Sequence, residues 1–262
     1  MKRIACIGDN CVDCYDETGE RYPGGNAVNV SVYFQRLRTP SSYIGAVGND
    51  ENGKMIVDSL RDKNVDVSHV KVLEGDTAVT HVQRIDGERV FGEDDPGVTT
   101  RLTLTEEDID FVAQHDLAVT GLWGYTEAFL PLIKSWGIPI AYDASNHPSY
   151  PQCQEGMKYA DYVFFSDDMA EEELLREQMQ DIASKGPRVV VAMRGSLGSL
   201  ALADGRYESF GIVDCDVVDT MGAGDSFIAG FLLAHLEDAN LTECMRRGAE
   251  NAAVTIGYNG AW

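Results

Sequence analysis

The sequence predicts an α/β protein in which a mostly parallel β-sheet lies between two layers of helices, with a smaller β-sheet beside them. Short apolar runs alternate with helix-length amphipathic stretches along most of the 262 residues, as they do in βα units. One hairpin signal, the Asp86-Gly87 dipeptide between two β-type runs, interrupts that alternation and predicts the smaller sheet. We therefore expect a single three-layer domain over residues 1–262, with a lid formed by about residues 14–23 and 76–95.

The N-terminal part of the chain predicts two successive βα units. Bounded apolar runs mark the strands, and apolar positions at helical spacing mark the helices. Strands and helices alternate in the order Arg3–Gly8, Gly25–Leu37, Ser42–Gly48 and Glu51–Lys63. The interrupting hairpin then pairs Thr77–Arg84 with Arg89–Gly92, and we assign Cys14–Tyr22 to the same small sheet.

The rest of the chain returns to the alternation and closes with two helices. The predicted strands are Asp116–Thr120, Ile138–Asp143, Tyr162–Ser166 and Val189–Met193. The predicted helices are Thr105–His115, Glu127–Ser135, Met169–Lys185, Ala223–Leu236 and Leu241–Tyr258. A second turn dipeptide, Asp204-Gly205, predicts a hairpin between Leu200–Ala203 and Tyr207–Phe210.

The net charge limits the kinds of partner. With 43 Asp and Glu against 21 Lys and Arg, the formal charge is -22, and we expect neither nucleic acid nor an anionic membrane to bind. No apolar run is long enough for a membrane span, and Ile4–Ile7 is too short for a signal peptide, so we expect a cytoplasmic protein. The single C-x-x-C, at Cys11 and Cys14, lacks a second pair of ligands for zinc.

The most informative segment is Asp219-Thr-Met-Gly-Ala-Gly-Asp225, which leads into an apolar run. Glycines at the start of a helix let backbone N–H groups converge, and with the helix dipole they bind an anion without any cation. Asp225 stands at the same helix start, where it could accept a proton from a hydroxyl that attacks a bound phosphate. The alternative is a glycine turn with Asp225 as a helix cap.

A second glycine-rich segment, Gly24-Gly25-Asn26-Ala27-Val28-Asn29, begins the first predicted helix. Paired glycines allow a ligand to approach the backbone closely. Asn29 lies about one helical turn further on and offers both a donor and an acceptor to a polyol. The alternative is an ordinary glycine-rich helix start with a cap.

These two motifs, in this order and preceded by Ile4–Asn10 and Asp13, resemble the PfkB/ribokinase family of sugar kinases along the whole chain. The resemblance implies a ribokinase-like fold, with the first hairpin as its lid, and implies ATP and Mg2+ as cofactors. It implies that Asp225 is the catalytic base. It implies an anion hole formed by Gly222, Ala223 and Gly224. It also implies a sugar site formed by Asp13, Gly25 and Asn29.

The same resemblance implies a nucleotide site in the C-terminal part of the chain. The loop Gly195-Ser-Leu-Gly198 would lie beside the nucleotide, and Asn251 would pack at the adenine edge. Arg194 could reach a phosphate, with an ordinary surface arginine as the alternative. The family's N-x-x-E element, which organises magnesium-bound water, is replaced by Ser166–Met169.

This replacement leaves the magnesium ligands open. Asp167, Asp168 or Glu171 could substitute through water, because Mg2+ keeps several of its waters in proteins. A requirement for a monovalent cation is likewise left open. So is a homodimer, which an exposed edge of the small sheet could form with a second copy.

Within the family, four short segments are most similar to members that act on glycated amines (fructosamines): Gly8–Asp13, Gly24–Asn29, Arg89–Gly92 and Gly260–Trp262. This implies ATP-dependent phosphorylation of the C6 hydroxyl of a fructosamine. Glu93 and Asp94 on the lid could then hold the cationic end of the substrate, with a solvated acidic turn as the alternative. Two other functions remain: a kinase of a plain sugar or nucleoside, and a non-catalytic sensor on the same fold.

Overall fold

The computed structural model describes residues 1–15, 18–85 and 88–262 of the chain. The strands are β1 (Ile4–Ile7), β2 (Cys11–Tyr15), β3 (Arg21–Gly24), β4 (Ser41–Ile44), β5 (Ala46–Gly48), β6 (Lys71–Leu73), β7 (Val79–Ile85), β8 (Glu88–Asp95), β9 (Leu117–Gly121), β10 (Ile140–Asp143), β11 (Tyr162–Ser166), β12 (Val189–Met193), β13 (Ser199–Ala203) and β14 (Arg206–Phe210). The α-helices are α1 (Asn26–Arg36), α2 (Glu51–Asp62), α3 (Glu106–Val112), α4 (Leu130–Ser135), α5 (Pro151–Gly156), α6 (Glu172–Ala183), α7 (Ala223–Leu236) and α8 (Leu241–Thr255).

The main sheet has eight strands in the order β14-β13-β12-β11-β10-β9-β1-β4. The six strands from β12 to β4 run parallel, and the β13–β14 hairpin extends the sheet in antiparallel pairing. A separate four-stranded sheet has the order β3-β2-β7-β8. The predicted α/β class, with a mostly parallel sheet and a small second sheet, is confirmed.

The two faces of the main sheet carry separate cores. In β1, Ile4 and Cys6 pack on one face while Ala5 and Ile7 pack on the other, since successive side chains of a strand point in opposite directions. Helices α1, α2, α7 and α8 cover the first face, and α3 to α6 cover the second. The strands are therefore buried on both sides, which explains their nearly continuous apolar sequences.

The predicted strand Ser42–Gly48 is wrong, because the chain forms two strands that belong to different sheets. The break falls at Gly45, where a Cβ atom would collide with the Tyr43 side chain and the Gly8 carbonyl. After this turn β5 pairs with β6 in a two-stranded sheet. The three-residue β6 and the six-residue α5 were not predicted, because elements this short show no periodicity.

Helix α6 begins at Glu172, later than the predicted Met169. The Asp167 carboxylate accepts hydrogen bonds from the backbone N–H groups of Met169 and Ala170, at 3.1 and 2.9 Å, and so holds these residues in a turn before the helix.

The small sheet contains the segments that we predict to form the lid. Strands β7 and β8 pair as the predicted hairpin, whose tip, Asp86-Gly87, lies outside the described residues. Strands β3 and β8 form the edges of this sheet. The homodimer that we expect to form through an exposed edge stays a prediction. Within the described ranges, no helix is long and apolar enough to cross a membrane.

Candidate active site

One large cleft, of about 1170 Å3, lies between the carboxyl ends of the main parallel strands and the small sheet. Ligands of open α/β sheets bind at this edge of the sheet. The cleft is acidic, since its lining includes seven aspartates: Asp9, Asp13, Asp94, Asp143, Asp168, Asp214 and Asp225. Among the described lining residues there is no lysine or arginine.

Asp225 lies in the first turn of α7 and faces this cleft. Its two carboxylate oxygens accept hydrogen bonds from the side-chain amides of Asn26 and Asn29, at 2.7 and 2.8 Å. Burial, together with the charges of Asp9 and Asp13, outweighs these two bonds and raises the pKa of Asp225 to about 6. A carboxylate with a pKa near the working pH is well suited to act as a general base.

The start of α7 has the geometry expected of an anion site. Gly222 takes a left-handed conformation (φ 72°), and a Cβ atom there would collide with the Tyr33 hydroxyl. The N–H of Ala223 donates to the carbonyl of Thr220 (3.2 Å), whereas the N–H groups of Gly224 and Asp225 have no backbone acceptor among the described residues. The structure thus leaves Gly224 and Asp225 free to bind an anion, and it uses Ala223 to close the turn.

The predicted sugar residues come together on the other side of Asp225. Gly25 caps α1 with φ 101°, and a Cβ atom there would overlap the backbone of Asn10. Asp13 is buried on β2 and lines the cleft. Asn29, through its amide, contacts Asp225 directly. Residues from two motifs nearly two hundred positions apart therefore meet at one carboxylate.

Two residues of this centre, Asn26 and Asp143, were missed by the sequence analysis. The Asn26 amide donates both to Asp225 and to Asp143, at 2.7 and 2.9 Å. Burial, and then the charge of Asp225, raises the pKa of Asp143 to about 7. A polar residue at the carboxyl end of an apolar strand, as Asp143 is, was the signal available in the sequence.

The last three residues also support the centre. The N–H of Gly260 donates to the Asp219 carboxylate (2.8 Å), and the Ala261 carbonyl accepts a hydrogen bond from the Tyr33 hydroxyl (2.5 Å). The indole N–H of Trp262 donates to the side-chain carbonyl of Asn29 (2.8 Å). Trp262 therefore fixes which end of the Asn29 amide faces Asp225.

On the small sheet, Asp94 lines the cleft and accepts a hydrogen bond from the Thr80 hydroxyl (2.9 Å). The side chain of Glu93, the other predicted lid carboxylate, lies outside the described part of the chain. Two exposed aromatic residues, Trp123 and Tyr125, line the cleft at the end of β9.

In the predicted nucleotide region, Gly195 and Gly198 line the cleft, but Arg194 and Asn251 do not. The Asn251 side chain is held on the far side of α8, where it accepts from Arg36 (2.7 Å) and donates to the Ser226 carbonyl (2.7 Å). The buried Nε of Arg194 has no hydrogen-bond partner among the residues that the structure describes. The cleft is lined here by Ala249, Ala252 and Ala253 of α8 and by Ile256, which follows the helix.

The three candidate magnesium ligands lie in the acidic segment after β11, and the structure gives them different surroundings. Asp167 is occupied by the turn before α6, whereas Asp168 lines the cleft. Asp168 and Glu171 are three residues apart, the spacing of N-x-x-E with Asp in place of Asn. Over the described ranges, no three His, Cys, Asp or Glu side chains form a metal cluster. The fit to Mg2+ rests on Asp168 and Glu171, since Mg2+ binds through one or two carboxylates, water and substrate phosphates.

Comparisons with known proteins agree along the full length. Residues 1–262 match the family described as pfkB family carbohydrate kinase. The fructoselysine 6-kinase of Shigella flexneri is 39% identical over 262 residues, covering 100% of both chains. The fructosamine kinase FrlD of Bacillus subtilis is 36% identical, covering 100% of this chain and 93% of its own. The structure of Arabidopsis thaliana ribokinase with ribose and ATP superposes with a TM-score of 0.90 at 21% identity, covering 99% of this chain and 94% of its own.

Proposed function

The chain belongs to the pfkB family of carbohydrate kinases and is an ATP-dependent sugar kinase, and we propose that it phosphorylates the C6 hydroxyl of a fructosamine, fructoselysine above all. The observation that carries this proposal is Asp225, a carboxylate with a raised pKa at the amide-lined start of α7. It lies beside Asn29 and Asp13 in a cleft lined by aspartates.

In the proposed reaction, the C6 oxygen attacks the γ-phosphorus of ATP while Asp225 accepts the hydroxyl proton. A bond forms between that oxygen and phosphorus, the bond between the γ-phosphorus and the bridging oxygen breaks, and ADP leaves. The N–H groups of Gly224 and Asp225, with the helix dipole, stabilise the negative charge on the transferring group. Closure of the small sheet over the sugar would exclude water and so suppress ATP hydrolysis.

The charge of the cleft favours a fructosamine over a plain sugar. The nitrogen of a fructosamine is a secondary ammonium, and the described lining offers aspartates without a competing lysine or arginine. A neutral sugar or nucleoside gains little electrostatic stabilisation from these aspartates. Two relatives that are 39% and 36% identical to this chain, over 100% and 93% of their own lengths, are named for fructoselysine and fructosamine. A non-catalytic sensor would have no use for a base held by two amides.

Magnesium, when bound with ATP, neutralises charge on the phosphates. Asp168 faces the cleft and Glu171 is the N-cap residue of α6, so these residues would hold it through water. Gly195 and Gly198 would border the nucleotide. The monovalent cation and the homodimer stay predictions, and a cytoplasmic location, where ATP is supplied, belongs to the same proposal.

We expect Asp225→Asn to lower kcat for fructoselysine by at least about 100-fold, the usual contribution of a general base. A coupled assay of ADP release measures kcat, and calorimetry confirms that the variant still binds ATP. Asp204→Asn is the matched control, because Asp204 lies in the β13–β14 turn with φ 49°, which asparagine tolerates, and does not line the cleft. An Asp225→Asn enzyme within about threefold of the wild type would exclude Asp225 as the base.

A further inference from the structure

A rigid turn carries two exposed aromatic side chains into the cleft. It follows β9 and comprises Leu122–Gly124 and Tyr125. The buried hydroxyls of Thr120 and Thr126 hydrogen bond to each other (2.7 Å) across its base. The backbone of Gly124 packs on Gly8, just after β1, so closely that a Cβ atom at Gly8 would lie 2.7 Å from the Cα atom of Gly124. The turn is thus fixed to two central strands of the main sheet.

The aromatic side chains on this turn remain accessible. Trp123 and Tyr125 are 43% and 40% exposed, although both belong to the cleft lining. Tyr125 adopts a left-handed conformation (φ 53°), which costs a non-glycine residue free energy and is concentrated at functional positions. The edge of Trp123 meets the His147 ring at 6.1 Å between centroids, and His147 stacks on Tyr150 at 4.4 Å. The fold therefore holds two apolar rings in place without burying them.

A carboxylate lines the same cleft as these rings. Asp94, on β8, lines the same cleft, and one of its oxygens accepts a hydrogen bond from the Thr80 hydroxyl. Burial, and then the charge of Asp94, raises the pKa of Tyr125. Ring faces with a nearby carboxylate bind an alkyl chain that bears an ammonium group, since the methylenes pack on the rings and the cation interacts with both.

We propose that Trp123, Tyr125 and Asp94 form the subsite for the amine-derived part of the substrate, so that the enzyme selects ketosamines with a cationic aliphatic chain. This inference rests on the proposed function and adds to it the residues that set the specificity. The sugar and its reacting hydroxyl lie against Asp13, Asn29 and Asp225. The chain attached to nitrogen lies against the turn after β9 and the edge strand of the small sheet.

The test compares three substrates: fructoselysine, 1-amino-1-deoxyfructose, which has the ammonium but no chain, and fructose. We expect Trp123→Leu and Tyr125→Asn each to lower the ratio of kcat/KM for fructoselysine to that for 1-amino-1-deoxyfructose by about tenfold. Asparagine is chosen at position 125 because it tolerates the left-handed conformation. Asp94→Asn should lower the ratio for fructoselysine to fructose by a similar factor.

Trp136→Leu is the control, since Trp136 is 56% exposed on the surface beside α4 and does not line the cleft. Its ratios should match those of the wild type. If the wild type prefers fructoselysine but the Trp123 and Tyr125 variants keep the wild-type ratio within about twofold, the subsite is wrong and the proposed function stands. If the wild type itself gains nothing from the amine substituent, the proposed function fails, and the subsite with it.

Discussion

At the scale of single residues, the structure shows how the carboxylate that we propose as the base is held. Two asparagine amides hold Asp225, and one of them, Asn26, also binds Asp143. Asp225 and Asp143 share this amide and have pKa values of about 6 and 7. Near pH 6 the two carboxyl groups together therefore carry fewer than two negative charges. The motif residues Asp225 and Asn29 could be predicted from sequence, because glycine-rich helix starts are local. Asp143 belongs to no such motif, and the only signal for it in the sequence was its place at the carboxyl end of an apolar strand.

Trp262 is the residue whose role is most readily tested. In the wild type, kcat/KM should rise with pH through about 6 as Asp225 loses its proton. The hydrogen bond from Asn29 lowers the pKa of Asp225, and the Trp262 indole orients that amide. Trp262→Phe should therefore move the acidic limb to higher pH and lower kcat/KM at pH 6 by about fivefold, the effect of losing one hydrogen bond.

The pH profile distinguishes a role of Trp262 in orienting Asn29 from a general contribution of Trp262 to the stability of the fold. Trp136→Phe, at an exposed position outside the cleft, should keep the wild-type profile. A Trp262→Phe enzyme with reduced activity but an unshifted limb would show that Trp262 supports the fold and does not orient Asn29.

At the scale of elements, the start of α7 combines two requirements. The turn must be tight, which Gly222 permits through its positive φ, and the first amides must stay open toward the cleft. The D-T-x-G-A-G-D string predicted both features, although the structure uses the amide of Ala223 within the turn. The apolar run behind Asp225 is buried between the sheet, α1 and α8, so the helix that carries the base is held on all sides.

The two glycines of this turn should differ in what they tolerate. Gly222→Ala forces a left-handed alanine against the Tyr33 hydroxyl and should lower the free energy of unfolding by roughly 1–3 kcal/mol. Gly224→Ala should not be destabilising, because its Cβ atom would meet only the Met193 side chain, at 3.6 Å, and alanine favours the helix. Urea denaturation measures both, and equal losses would contradict the turn geometry.

The prediction of helices and strands succeeded where these elements are long. It failed where tertiary contacts determine where a strand ends or how a turn is shaped. The periodic helices and buried parallel strands lie close to their predicted bounds. The break at Gly45 depends on Tyr43 and on Gly8, a residue far away in sequence, so local pattern could not reveal it. The turn at Leu122–Gly124 was missed for the same reason, since its shape follows from the packing of Gly124 on Gly8.

At the scale of the whole molecule, the net charge of -22 is compatible with the proposed function, because the proposal places the phosphate and the cationic substrate at different groups. The phosphate is expected at helix amides, which need no cation, and the described cleft lining indeed contains no lysine or arginine. The same aspartates that would repel a free anion complement a cationic substrate. From the sequence alone, the net charge predicts that nucleic acid and anionic membranes do not bind, but only the structure shows that seven aspartates converge on the cleft.

The measurement that tests this account most directly is ATP consumption with magnesium across a panel of acceptors. Fructoselysine, a second fructosamine, fructose, ribose and adenosine are compared by ADP release, and the phosphate is located on each product. The account predicts the highest kcat/KM for fructoselysine, by at least about tenfold over fructose, with the phosphate on O6. A preference for a plain sugar or nucleoside, or no transfer to any acceptor, would contradict it.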